Sequence, residues 1–178
     1  GKSTLINKLV GKKVSIVSHK VQTTRFCIRG ICTHTFDNLS KSQIILIDTP
    51  GIFPAKRRLD KAMVSAAWSE LKHSDKVIFI HDVTKSFENN SLDVINQIFK
   101  IKTDVILVLN KIDLLPKDKL LKKIQHIQSL YDFAKVFLVS ALNGSGCNEL
   151  IEYLADSMPT HPFMSVSYTH LTLPTNCV

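Results

Sequence analysis

The chain has 178 residues, 44% of them hydrophobic, which suits one domain with a substantial core and excludes global disorder. Its net charge of +8 favours anionic partners such as nucleotides, nucleic acid or an anionic surface. The four cysteines form no C-x-x-C pair, the seven histidines no H-x-x-x-H pair, and no secretory pattern opens the sequence. With no apolar run near the ~18 residues of a membrane span, a metal clip, a disulfide scaffold and a spanning helix are all excluded, and reduced thiols in the cytosol are expected.

Taken in order, residues 3–10 read as a helix stopped by Gly11. Residues 25–35 alternate like a strand, which sets Cys27 and Cys32 on opposite faces. Asp37-Asn38-Leu39-Ser40 is turn chemistry, and residues 43–47 form a second strand, so the two strands should make a hairpin. A helix is expected over 60–71 and a buried strand over 77–81. Ser91 is expected to cap a helix that runs to about Phe99. Residues 105–109 form the next strand, with Asn110 at its end, and Pro116 opens a helix to about Leu130. The lysines at 117, 119, 122 and 123 fall on that helix and read as a solvated face. A last strand covers 136–139, and a last helix covers 147–157 after Gly144 and Gly146. This alternation is that of an α/β layered domain. The pattern dissolves from Thr160, and an unstructured and foreign tail is expected over 163–178, with a reading-frame junction near Met164.

Four short strings carry chemistry. Gly1-Lys2-Ser3-Thr4 is the second half of a phosphate loop, G-x-x-x-x-G-K-[ST], opening directly into a helix whose N-terminus can face phosphates. Lys2 would offset phosphate charge, and the Ser3 hydroxyl would ligate Mg²⁺. Asp48 ends the apolar run Ile44-Ile45-Leu46-Ile47, where a carboxylate is costly unless a cation or hydrogen bonds match it. Mg²⁺ would supply that match, and Gly51 lets its N–H approach a γ-phosphate. Asn110-Lys111-Ile112-Asp113 follows another apolar strand. The Asp113 carboxylate can accept from guanine N1–H and the 2-amino group together, and adenine would leave it unpaired. Asn110 would bond the purine edge and brace the first loop, and the Lys111 stem would pack on the base. Ser140-Ala141 follows the last strand, where a small residue lets the Ala141 N–H reach guanine O6. Between the first two strings, Gln22-Thr23-Thr24-Arg25 supplies a hydroxyl that could join Mg²⁺ only while the γ-phosphate is present. Thr24 is the first choice and Thr23 the second.

With Lys20-Val21-Gln22-Thr23-Thr24-Arg25, Asp48-Thr49-Pro50-Gly51-Ile52-Phe53 and the basic Lys56-Arg57-Arg58 before Leu59-Asp60, the set resembles the Era GTPases. The likeness covers roughly residues 1–162 and implies a P-loop NTPase G domain, a mostly parallel sheet with helices on both faces in three layers. It implies GTP and GDP as ligands with Mg²⁺, and potassium held by a loop asparagine that this sequence does not contain. It further implies assistance in small ribosomal subunit assembly and rRNA processing. RNA contact would come through a KH domain beyond these residues, in the cytoplasm with peripheral inner-membrane association in some members. The first half of the phosphate loop and the strand before it also lie outside the given sequence, so a marginal fold and weak nucleotide binding are expected of the 178 residues alone.

The reaction expected is attack of water on the γ-phosphate, with Lys2, Thr24 and Gly51 as the catalytic positions. Ile52 follows Gly51 and cannot orient water, so slow intrinsic turnover raised by a partner or a monovalent cation is expected. Two other readings remain open: another RNA-related GTPase, EngA-like or tRNA-modifying, and a non-catalytic guanine-nucleotide sensor. An ATP-dependent kinase fits least, because Asn110 to Asp113 has no use there.

Overall fold

The computed structural model describes residues 1–11, 28–37, 40–48, 58–87, 89–101 and 104–159. In chain order the elements are α1 (Lys2–Val10), β1 (Ile28–Thr35), β2 (Lys41–Asp48), α2 (Arg58–His73) and β3 (Val77–Asp82). Then come α3 (Asn89–Ile101), β4 (Val105–Asn110), a 3-10 turn (Ile112–Leu114), α4 (Lys117–Leu130), β5 (Lys135–Val139) and α5 (Cys147–Ser157). The expected elements are present among the described residues, with 25–27 of the first expected strand lying outside them, and Gly11 ends α1 in the left-handed conformation. Ser91 is a correction: α3 begins two residues earlier, at Asn89, so Ser91 lies inside the helix instead of capping it. The expected tail lies outside the described residues, as do Cys27 and Cys177.

The hairpin forms as expected, antiparallel from Ile28 opposite Asp48 to Thr35 opposite Lys41, with the Phe36 N–H donating to the Ser40 carbonyl across the turn. β3, β4 and β5 form a separate parallel sheet with β4 in the middle. Parallel strands covered on both sides carry continuous apolar runs rather than alternation. β4 is the clearest case, since Val105 to Leu109 are all 0% exposed. Its alternate residues serve two cores. Ile106 and Val108 pack with Leu5, Ile6 and Leu9 of α1 and Leu150 and Leu154 of α5. Leu107 and Leu109 pack with Leu120 and Ile127 of α4. Helices thus cover both faces of the sheet, which is the three-layer arrangement. At about 1.5–3 kcal/mol per fully buried aliphatic side chain, this strand is a principal source of stability.

A two-stranded hairpin is marginal by itself. Here Ile44 and Leu46 of β2 enter the α1 and α5 core, and Arg29 reaches Glu70 of α2 at 3.3 Å. Between β2 and β3 runs a channel of about 550 Å³, lined by Ile45 and Ile47 on one side and Val77, Ile78 and Phe79 on the other. Its polar mouth carries Gly1, Lys2, Asp82, Asn110 and Lys111. The C-terminal ends of β2, β3 and β4 meet at this mouth, beside the N-terminus of α1, and that convergence positions the site.

The loop from β5 into α5 depends on one glycine. Gly146 has φ +72°, and a Cβ there would lie 2.0 Å from the Leu138 carbonyl oxygen. Gly146→Ala should therefore lower the unfolding free energy by more than about 2 kcal/mol. Chemical denaturation followed by circular dichroism checks this, and an unchanged midpoint would show that the loop relaxes around the methyl group.

Candidate functional site

The first cluster joins α1 to the end of β2. Asp48 is 0% exposed, although it is an acid. The Lys2 ammonium donates to Asp48 Oδ1, and the Ser3 hydroxyl donates to Asp48 Oδ2 at 2.9 Å. A buried carboxylate needs such partners. The three residues expected to serve phosphate and Mg²⁺ thus meet in one contact, the Lys2 ammonium and the Ser3 hydroxyl both resting on the acid. A hard divalent cation takes oxygen donors, and the adjacent Ser3 and Asp48 oxygens suit one whose shell is completed by phosphate and water. Among the described residues no group of three or more His, Cys, Asp or Glu side chains gathers into a metal cage. Thr4 sits one residue further into α1, where its Oγ1 lies 3.5 Å from the Gly1 nitrogen.

The second cluster joins β4 to the loop after β5. Asn110 is 2% exposed, and its Oδ1 accepts from the Lys111 N–H at 2.8 Å and the Ala141 N–H at 3.0 Å. Among the described residues the loop that the asparagine braces is 140–146. Ser140 is fully buried; its N–H donates to the Ser145 carbonyl, and its own carbonyl accepts from Gly144. Lys111 has φ +68°, the one positive φ on a non-glycine residue among those described. Such a conformation costs about 1–2 kcal/mol and persists only where its surroundings enforce it. The turn places Asp113 in the short 3-10 segment, exposed, with its carboxylate taking no partner among the described residues. Thr23, Thr24, Gly51 and Ile52 lie outside the described residues.

Sequence reasoning passed over a third group. Asp82 ends β3 as Asp48 ends β2, and its Oδ1 accepts from the Thr84 N–H at 3.0 Å and the Thr84 hydroxyl at 2.7 Å. Its Oδ2 lies 2.6 Å from the Lys111 ammonium. Burial pushes this carboxyl up, but the hydrogen bonds from Lys111 and Thr84 outweigh it and hold the pKa at about 2. The available signal was positional: an acid closing an apolar strand, the same pattern that marked Asp48.

Residues 1–111 match the family described as 50S ribosome-binding GTPase. The chain belongs to that family. GTPase Era of Brucella suis biovar 1 (strain 1330) is 47% identical over 163 residues, 92% of this chain and 51% of that protein. The chain therefore spans about half the length of the curated relatives it matches. A crystal structure of Era in complex with MgGDPNP and nucleotides 1506–1542 of 16S ribosomal RNA superposes with a TM-score of 0.84 at 33% identity, covering 93% of this chain and 55% of that one. A variant of Aquifex aeolicus Era bound to GDP and AlF4⁻ gives 0.82 at 34% identity, covering 91% and 54%. The resemblance to Era and the P-loop GTPase fold read from the motifs both hold. No helix among the described residues is long and apolar enough to cross a membrane.

Behind this GTPase-family site lies His81, 7% exposed and packed edge-on to Phe87 at 4.9 Å, with Nε2 unpartnered among the described residues. Burial lowers its pKa; Lys123 and Lys85 lower it further, and a hydrogen bond with the Lys85 backbone and the Asp82 charge oppose the drop. A depressed histidine contributes stability that is complete above the unfolded value of about 6.5 and is lost as pH falls through the folded value. The stability of the parent relative to His81→Leu should therefore fall as pH is lowered from 7 towards 5, measured by denaturation at each pH. A difference that stays constant with pH would contradict the assignment.

Proposed function

We propose that this chain is the guanine-nucleotide-binding and GTP-hydrolysing domain of an Era-like factor acting in small ribosomal subunit assembly and rRNA processing. The observation that carries this reading is the shared Asn110 amide oxygen, which ties the guanine-reading turn to the Ala141 loop at the same channel mouth as Lys2. Asp113 would accept from guanine, with the Ala141 N–H directed to O6 and the Lys111 stem against the base. Gly1, Lys2, Ser3 and Thr4 would hold the phosphates. Mg²⁺ would be held by Ser3 with Asp48 and the switch hydroxyl of Thr24, and when bound it would draw charge from the phosphate oxygens. Lys2 would have to exchange the Asp48 carboxylate for phosphate oxygen on binding, and a charge-assisted bond of similar kind replaces the one broken. Water adds to the γ-phosphorus while the bond to the β-bridging oxygen breaks, giving GDP and phosphate. With Ile52 following Gly51, intrinsic turnover is proposed to be slow.

The family's description names the large subunit, while the Era complex carries a 16S fragment. The 47% identity to GTPase Era over 163 residues, beyond the 1–111 that the family matches, favours the small subunit. The proposed domain spans 1–162, with 163–178 outside it. A further parallel strand, entering beside Gly1, is proposed to fill the apolar channel between β2 and β3. RNA contact through a KH domain, potassium as an activator, and a cytoplasmic location with peripheral membrane association rest on the likeness to Era.

Equilibrium binding of fluorescent GDP and ADP with Mg²⁺ tests the reading. The chain should bind GDP in preference to ADP by at least about a hundredfold, and Asp113→Asn should move the preference to the xanthine nucleotide. Equal binding of GDP and ADP would sink the guanine assignment.

A further inference from the structure

Lys111 carries two unusual restraints. Its backbone adopts a left-handed conformation held by the Asn110 side chain, and its ammonium reaches across to Asp82 on the neighbouring strand. A lysine side chain loses much rotamer freedom when fixed. Here that cost is met within the protein itself, before any ligand arrives.

We propose that Asp82 is a positioning residue for guanine-nucleotide binding, holding the Lys111 side chain extended across the channel mouth so that its stem forms a ready-made platform for the base. This rests on the proposed function. The two oxygens of Asp82 divide the work. Oδ1 accepts from the Thr84 N–H and hydroxyl and shapes the turn after β3, while Oδ2 takes the Lys111 ammonium at 2.6 Å. The turn is separately anchored: the Val83 N–H donates to the Asn110 carbonyl at 3.0 Å, and the Lys123 ammonium donates to the Val83 and Lys85 carbonyls at 2.5 and 2.8 Å. Asp82 therefore sits on a fixed support tied to the same strand end that carries Asn110. Its side chain is 20% exposed and that of Lys111 41%, so the pair lies at the open mouth and not in the core. Without the acid, the ammonium is free to leave for solvent, and each binding event must order the side chain again.

The two functions of Asp82 can be separated by substitution. Asp82→Asn keeps an oxygen acceptor for Thr84 but presents no anion to Lys111. Thr84→Ala removes the hydroxyl bond of the turn and leaves the acid facing the lysine. GDP affinity is measured by titration calorimetry on the 178-residue chain, together with melting temperature. Asp82→Asn should weaken GDP about tenfold with little change in melting, and Thr84→Ala should change affinity by less than about twofold. In a Lys111→Met background, Asp82→Asn should cause no further loss, because the group it positions is gone. A similar loss from Asp82→Asn and Thr84→Ala, a loss that persists in the Lys111→Met background, or a collapse of melting in Asp82→Asn would each make Asp82 a structural residue only and overturn the inference. Because weak binding is expected of the 178 residues alone, absence of GDP binding by the parent chain calls for the same titration on a chain carrying the complete phosphate loop, and absence there would remove the proposed function, and the inference with it.

Discussion

The amide oxygen of Asn110 is the contact on which the site's geometry depends. β4 is covered on both faces, so its last polar side chain emerges from an interior that tolerates no unpaired group. Asn110 meets that requirement by accepting two backbone N–H groups from different loops, those of Lys111 and Ala141. One buried side chain thereby sets the separation of the two segments that would surround a purine. The left-handed turn at Lys111 and the placement of Asp113 follow from it.

Around that point, two strand-end acids each take a lysine from a nucleotide motif, in different surroundings. Asp48 is fully buried beside a Lys2 side chain that is 32% exposed. Removing the lysine would leave an uncompensated buried charge, a loss of about 3–5 kcal/mol when such a pair is broken on one side. The Asp82 pair faces solvent on both members, where ion pairs contribute about 0–1 kcal/mol to stability. The same chemistry therefore serves the fold at Asp48 and side-chain placement at Asp82. Asp48 closes a strand of the antiparallel hairpin beside the N-terminus of α1, and Asp82 closes a strand of the parallel sheet, at whose carboxyl end open α/β sheets gather ligands.

Much of the site was readable from short strings because each string lies within one strand-to-helix junction. Asn110 and Asp113, or Lys2 and Ser3, are placed by local backbone geometry once the preceding strand or following helix is known. Asp82 escaped that reading because its partner Lys111 is 29 positions away, and no local period links an acid after β3 to a lysine after β4. Lys123 was misplaced for a similar reason. Its neighbours Lys117, Lys119 and Lys122 are exposed as expected of a solvated helix face, whereas its ammonium turns back to the carbonyls after β3. The start of α3 at Asn89 in place of Ser91 is a smaller miss, a shift of two residues at a helix end.

The sequence by itself determined the order of strands and helices, the hairpin and the strings proposed to read the nucleotide. Those features depend on periods of 2 and 3.6 residues and on turn chemistry, which act between neighbours in the chain. The tertiary structure alone decided that β4 is the central strand of its sheet, that Lys2 and Ser3 close on Asp48, and that Asp82 holds Lys111. Each of these brings together residues from different strands or helices, and their pairing depends on sheet order and burial, quantities that exist only once the layers have packed.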